Sequence, residues 1–330
     1  MNAEDLHVVG IGNAIVDVIA RAEDAFLLRE NIAKGTMTLI DAARATELYD
    51  RMGPATQSSG GSAANTIAGI AALGGKAGFI GRVADDALGH AFSHDLRAQG
   101  VQYKTSPAAA GLPTARCLVL VTPDAQRSMS TFLGASTELD GQDIDAALIG
   151  RAQILYLEGY LWDPPAAKAA MRAAMAHARD HGGQVAFSLS DPFCVQRYRQ
   201  EFLALLDGGI DILFANEAEL MALFEVDDFD QALQHIRGRV PMAALTRSEK
   251  GAVVLADGEF HIVDAAPVDH VVDTTGAGDL FAAGFLYGLT HGHTPYDCGR
   301  IGAVAAAEVI SHFGPRPERD LAILIKDALG

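Results

Sequence analysis

Cysteine is scarce and unpaired. Cys117, Cys194 and Cys298 are scattered over 330 residues, odd in number and never at CxxC spacing, so there is no disulfide framework and the expected location is the reducing cytoplasm. Basic residues are also short, with 25 Lys and Arg against 42 Asp and Glu and a net charge of −17. A field that negative repels nucleic acid and anionic lipid, so neither is expected as a partner. It also opposes any anionic ligand, which then needs a local cluster of inward-pointing N–H groups. Long apolar runs are missing. The most apolar stretch, 63–80, is broken by Asn65, Gly74, Gly75 and Lys76, and reads as a buried helix followed by a strand. The opening MNAEDLHVVG has neither a basic n-region nor an apolar h-region, so no signal peptide is expected. A P-loop, GxxxxGK followed by Ser or Thr, occurs nowhere.

Apolar residues and glycine are plentiful. At 49% hydrophobic the chain can bury a sizeable core, and its 34 glycines fall in short groups without a period, as tight turns near ligands do. From residue 154 on, strand candidates at 154–157, 184–189, 210–215, 242–246 and 252–256 alternate with helices at 166–181, 195–206, 217–224 and 229–237. That alternation predicts an α/β fold with a mainly parallel sheet and helices on both faces. Strands at 6–11 and 77–80, helices at 41–52, 65–73 and 86–99, and late helices at 278–289 and 301–311 complete the pattern. Two segments break the rhythm. One is 14–40; the other, within 112–134, is a hairpin that turns at Pro123-Asp124. They are expected to form one small β sheet attached to a single domain spanning 1–330.

Three glycine clusters carry the chemistry. Asp273-Thr274-Thr275-Gly276-Ala277-Gly278-Asp279 runs straight into a helix. Small residues there let N–H groups converge where the helix dipole favours an anion. Asp279, in the first turn, can accept a proton from an attacking hydroxyl while those groups hold a transferred phosphoryl. An ordinary Gly-rich turn with a first-turn Asp is the alternative. Ser59-Gly60-Gly61-Ser62-Ala63-Ala64-Asn65 also opens a helix. Gly60 and Gly61 permit close backbone approach, and Asn65 offers hydroxyls a donor and an acceptor, unless this too is a plain turn. Gly10-Ile11-Gly12-Asn13-Ala14-Ile15-Val16-Asp17 imitates a dinucleotide fingerprint, but Ile15 replaces the third glycine and no helix follows, so that reading fails. Asp17 is better read as a carboxylate for two adjacent sugar hydroxyls. His291/His293 and His90/His94 lack a third ligand and read as solvated or capping histidines, not a metal site.

GGSAAN at 60–65 and DTTGAGD at 273–279 resemble the two signatures of the ribokinase family, also called PfkB carbohydrate kinases, over nearly the whole chain. The resemblance implies a ribokinase-like domain whose small sheet is a lid over the acceptor. It makes Asp279 the base, and Gly276, Ala277 and Gly278 the anion hole. Asn13, Asp17, Gly60, Gly61 and Asn65 would hold the acceptor. Asn216 and Glu219 match the family's NxxE motif, which positions Mg²⁺ through water. Thr246, Ser248 and Gly251 fall in the strand-end loop that borders ATP, with Arg247-Ser248 where many members carry Gly. The family often binds K⁺, for which Asp273 and Thr275 are the local donors.

Gly12-Asn13 with Asp17, Leu189-Ser190-Asp191-Pro192-Phe193 and Asp211–Glu217 are most similar to the adenosine kinase branch. Met37, Leu39, Phe132 and Leu133 on the lid would form an oily slot for a purine, with Tyr160 just after a strand end; simple packing of the lid is the alternative. The expected reaction is ATP-dependent phosphorylation of a primary hydroxyl, foremost the 5′-hydroxyl of adenosine. A sugar kinase acting on ribose, fructose or a keto-deoxy acid is the runner-up. A catalytically silent ligand-binding regulator is the non-enzyme alternative, against which Asp279, the glycine turn and NxxE argue together. Either a monomer or a homodimer is compatible with the sequence.

Overall fold

Side chains along the central strands are apolar on both sides, and that is why helices cover both. The computed structural model describes residues 5–124 and 126–329. Its strands are β1 (Leu6–Ile11), β2 (Ile15–Arg21), β3 (Met37–Leu39), β4 (Ala55–Gly60), β5 (Ala77–Ile80), β6 (Gln102–Tyr103) and β7 (Ala115–Val121), followed by β8 (Arg127–Phe132), β9 (Ala152–Glu158), β10 (Gln184–Ser188), β11 (Ile212–Asn216), β12 (Met242–Thr246), β13 (Ala252–Ala256) and β14 (Glu259–Val263). The helices are α1 (Asp24–Arg29), α2 (Ala42–Arg51), α3 (Ser62–Ala72), α4 (Ala87–Ala98), α5 (Ala146–Ile149) and α6 (Pro165–Asp180), then α7 (Pro192–Leu206), α8 (Glu217–Phe224), α9 (Phe229–Ile236), α10 (Ala277–Thr290), α11 (Pro295–Val309) and α12 (Leu321–Leu329).

Nine strands form the large sheet in the order β14-β13-β12-β11-β10-β9-β1-β5-β6, parallel except at β13 and β14. Ile154 and Tyr156 of β9 and Ile212 and Phe214 of β11 enter one core with α3, α10 and α11. Leu155, Leu157, Leu213 and Ala215 alternate into a second core with α6, α7, α8 and α9. This is a ribokinase-like α/β fold with a second, smaller sheet. The strand order reverses at β1, so the carboxyl ends of β1, β9, β10, β11 and β12 leave a crevice there, the place where open α/β sheets bind ligands.

The smaller sheet has the order β3-β8-β7-β2-β4. It draws on the two expected segments and on a third. β4, at 55–60, pairs antiparallel with β2 through Ile15↔Gly60 and Asp17↔Ser58. Its sequence, ATQSSG, lacks the apolar alternation that marks a half-buried strand, because it is an edge strand with its first residues exposed. Helix starts follow their caps: Asp41, Asp86, Asp191 and Asn216 each accept from a first-turn N–H. α11 begins at Pro295, ahead of the expected 301, since Thr294 caps it and proline suits the first turn. β14, α1 and α12 are further elements. No helix among the described residues is long and apolar enough to cross a membrane.

Candidate active site

The site starts at α10. Gly276 is its N-cap at φ +79°, a conformation glycine takes without strain, and Gly276, Ala277, Gly278 and Asp279 all line one cavity of about 620 Å³. The first-turn N–H groups of such a helix have no intrahelical partner, which makes the turn an anion site. Asp279 is half-buried beside it. Ser62 Oγ donates to its Oδ1 at 2.7 Å and Asn65 Nδ2 to its Oδ2 at 2.8 Å. Burial raises its pKa above the ordinary 3.8, and the two donors with Arg316 and Arg127 pull the other way.

Asn13, Asp17, Gly61 and Asn65 line the same cavity. Asn13 is fixed by Glu158, which accepts from its N–H at 2.8 Å and its Nδ2 at 2.6 Å, and also takes the N–H of Ala63. Glu158 is wholly buried at the end of β9 and pushed up to about 7 by desolvation. It straps the glycine clusters at 10–17 and 59–65 together, a role no motif announced; its one signal is a charge ending an apolar strand. Asp17 is also buried and raised to about 7, desolvation outweighing the pull of Arg316. Among the described residues nothing donates to its carboxylate, so both oxygens are open to a ligand. Gly60 itself does not line the cavity. A Cβ there would overlap the Asp17 carboxylate, so Gly60 gives Asp17 its room, whereas a Cβ on Gly61 would overlap the Asn13 carbonyl.

One face of the small sheet closes the cavity. Cross-strand pairs Asp17↔Cys117, Cys117↔Thr131 and Thr131↔Leu39 form one row, and Met129↔Met37 lies beside it. Met37, Leu39, Met129, Leu133 and Ile15 supply an apolar surface, with Arg127 at its end. Phe132 is a correction. Side chains alternate along β8, so 127, 129, 131 and 133 face the cavity and Phe132 is buried on the opposite side. Tyr160 lines the far wall, its hydroxyl donating to the Ser190 carbonyl, with Phe193 at the rim.

Asn216 and Glu219 reach the cavity from the end of β11. They form a capping box: Asn216 Oδ1 accepts the Glu219 N–H, and Glu219 accepts the Asn216 N–H at 2.9 Å and its Nδ2 at 2.6 Å. Burial raises Glu219 to about 7. With both oxygens engaged, this pair suits a metal held through water and does not suit direct ligation. No cluster of three or more metal-binding side chains occurs among the described residues. Thr246 borders the first cavity and an adjoining one of about 700 Å³, which Ser248 and Lys250 also line. Arg247 lies over the Phe229 ring and pairs with Glu217 at 2.9 Å. Gly251 lines neither cavity. It turns at φ +82° against the Val263 carbonyl, where a side chain would collide. Asp273 is buried; its Oδ1 accepts from Thr275 and its Oδ2 from the Gly314 N–H. Arg127 stands beside this pair, with Nη1 3.3 Å from Thr275 Oγ1. His291 stacks on Tyr287 and His90 pairs with Asp85, outside the site.

Residues 29–320 match the pfkB family carbohydrate kinase pattern. An adenosine kinase from Sinorhizobium meliloti is 51% identical, with a TM-score of 0.94 over 98% of this chain and 99% of that one. A probable sugar kinase protein from Rhizobium etli is 52% identical, again with a TM-score of 0.94, over 98% of each chain. A fructokinase from Klebsiella pneumoniae is 30% identical over 251 residues, 74% of this chain and 81% of the fructokinase. Kinases of this family use ATP and Mg²⁺. The chain therefore belongs to the pfkB family of carbohydrate kinases, siding with its adenosine kinase branch, and is a phosphotransferase with an alcohol group as acceptor.

Proposed function

We propose that the chain transfers the γ-phosphoryl group of ATP to the 5′-hydroxyl of adenosine, giving AMP, with the small sheet acting as a lid. One observation carries the acceptor: Asp17, with no donor among the described residues, and Asp279 open into a single cavity whose facing wall is the apolar surface of Met37, Leu39, Met129 and Leu133. A ligand that is polar at the ribose and flat and apolar at the base satisfies both ends. A buried carboxylate without partners is costly, so Asp17 would select for the 2′- and 3′-hydroxyls.

In this reading the hydroxyl takes the place of a donor on Asp279, which accepts its proton as oxygen attacks phosphorus. The new O–P bond forms, the bond to the ADP oxygen breaks, and the first turn of α10 holds the equatorial oxygens. Arg127 adds positive charge beside that turn. Mg²⁺, when bound with the nucleotide, offsets phosphate charge; Asn216 and Glu219 would hold it through water, and Thr246 and Ser248 would border the nucleotide. Exchange of K⁺ for tetramethylammonium tests the cation expected at Asp273 and Thr275. Slower turnover assigns it there, and unchanged kinetics leaves Arg127 as the local positive charge.

The rival acceptor is a free sugar, which the similarity to the Rhizobium and Klebsiella proteins supports. The deciding experiment is a phosphorylation panel of adenosine, 2′-deoxyadenosine, ribose, fructose and 2-keto-3-deoxygluconate. Adenosine is expected to lead in kcat/KM and 2′-deoxyadenosine to fall far behind it. A free sugar ahead of adenosine overturns the nucleoside reading and leaves the apolar wall as packing.

A further inference from the structure

Asn65 is itself held. Arg316, in the turn between α11 and α12, donates from Nη1 to Asn65 Oδ1 at 2.5 Å. Its Nη2 donates to the Ser59 carbonyl at 2.6 Å and to Ser59 Oγ at 2.8 Å. Ser59 is fixed in turn by Asp95, which accepts its N–H at 2.8 Å. An asparagine amide presents nearly the same shape either way round. A cation on Oδ1 decides the matter and turns Nδ2 toward Asp279, to which it donates at 2.8 Å. The two residues before Arg316 touch the other half of the site. Gly314 N–H donates to Asp273 Oδ2 at 3.0 Å, and a Cβ on Gly276 would come within 2.9 Å of Pro315. The turn is anchored from behind by Glu308, whose Oε1 accepts the N–H groups of Glu318 and Arg319.

We propose that Arg316 is a positioning residue for phosphoryl transfer: its guanidinium fork fixes the Asn65 amide and, through it, the carboxylate of Asp279, while Gly314 and Pro315 brace the anion turn. This deepens the proposed function and rests on Asp279 as the base. The charged and titratable groups facing Asp279 are Asp17 from β2, Tyr156 and Glu158 from β9, Tyr160 just beyond β9, Arg127 from β8 and Arg316 from this turn. The two arginines favour its ionised form, and Asp17 and Glu158 oppose it when they are charged, while the buried tyrosines stay neutral. Loss of the Arg316 charge therefore lets Asp279 hold its proton to higher pH.

The test compares Arg316→Lys and Arg316→Gln with the unmodified enzyme in kcat, KM and the pH profile of kcat/KM. Lysine keeps the charge without the fork, so kcat is expected to fall several-fold with the acid limb unmoved. Glutamine loses both, so kcat is expected to fall about tenfold or more, acceptor KM to stay within about twofold, and the acid limb to move to higher pH. In an Asn65→Ala background, Arg316→Gln is expected to add less than about a further twofold. An unmoved limb with near-normal kcat in Arg316→Gln overturns the proposal, as does a full effect without Asn65. Thermal melts accompany every variant. Should Arg316→Gln not fold, Arg316→Lys decides: lowered kcat at unchanged KM supports the proposal, and normal kcat overturns it. Asp279→Asn at near-normal rate overturns both the base and this inference. Adenosine inert while a sugar is phosphorylated overturns only the acceptor, and the profiles are then read with that sugar.

Discussion

At the scale of single residues, the carboxylate at a helix start and its glycines were the legible part, and they line one cavity. Asp279→Asn keeps the shape of the side chain and removes the proton acceptor. It is expected to lower kcat by about 10²–10⁴ while acceptor KM changes little; retention of more than about half the rate in a steady-state assay shows that Asp279 is not the base. Gly60→Ala is the second residue-scale prediction. The added methyl would overlap the Asp17 carboxylate, so acceptor KM should rise well above any change in kcat, and an unaltered KM would mean that Asp17 does not meet the acceptor. Asp279 and Gly276 stand out in the sequence because an acid beside small residues at a helix start is a pattern written locally. Ser62, Glu158 and Arg316 act across 217, 95 and 251 residues of separation on Asp279, Ala63 and Asn65, where no local pattern records them.

At the scale of elements, the parallel strands and their helices could be read because each spans a full apolar period. What failed was parity in a short strand. Phe132 is the more hydrophobic residue and looks like the natural wall of a purine slot, but β8 places 127, 129 and 131 on that side. A shift of one residue sends a side chain to the other face, and only pairing with β3 and β7 settles which. β4 was missed for the opposite reason, as an edge strand carries no burial signal. The two faces give a paired prediction. Phe132→Ala should cost about 3 kcal/mol in a urea melt through the cavity it leaves, with acceptor KM nearly unchanged. Met129→Ser should do the reverse, with a raised KM for adenosine and a small loss of stability. The two effects exchanged between the variants would place Phe132, not Met129, against the acceptor.

At the scale of the whole molecule, the sequence's charge implies that any anion must be held by a local device, and the proposed device is the first turn of α10 with Arg127 on the same cavity. Composition could not foretell how many carboxylates the crevice buries. Asp17, Glu158 and Glu219 are each raised to about 7 by desolvation, from ordinary values of 3.8, 4.5 and 4.5. In the unfolded chain these groups lose their protons near their ordinary values. The fold therefore holds more protons between about pH 4 and 7. Stability is fully helped by this below about pH 4, declines as pH rises through that window, and levels above about pH 7. Self-repulsion at a net charge of −17 acts in the same direction, so the unmodified protein alone does not isolate the carboxylates. Asp17→Asn does. It keeps the side chain's size and removes one buried charge while leaving the surface untouched. Melts of the ligand-free protein at constant ionic strength should show Asp17→Asn more stable than the parent at about pH 8, with the difference shrinking toward about pH 4. The same variant should bind the acceptor poorly, because in the proposed function the carboxylate that weakens the empty fold is also the one that would hold the ribose hydroxyls. Parallel stability curves for the two proteins across that range would mean that Asp17 is not carrying a raised pKa in the fold.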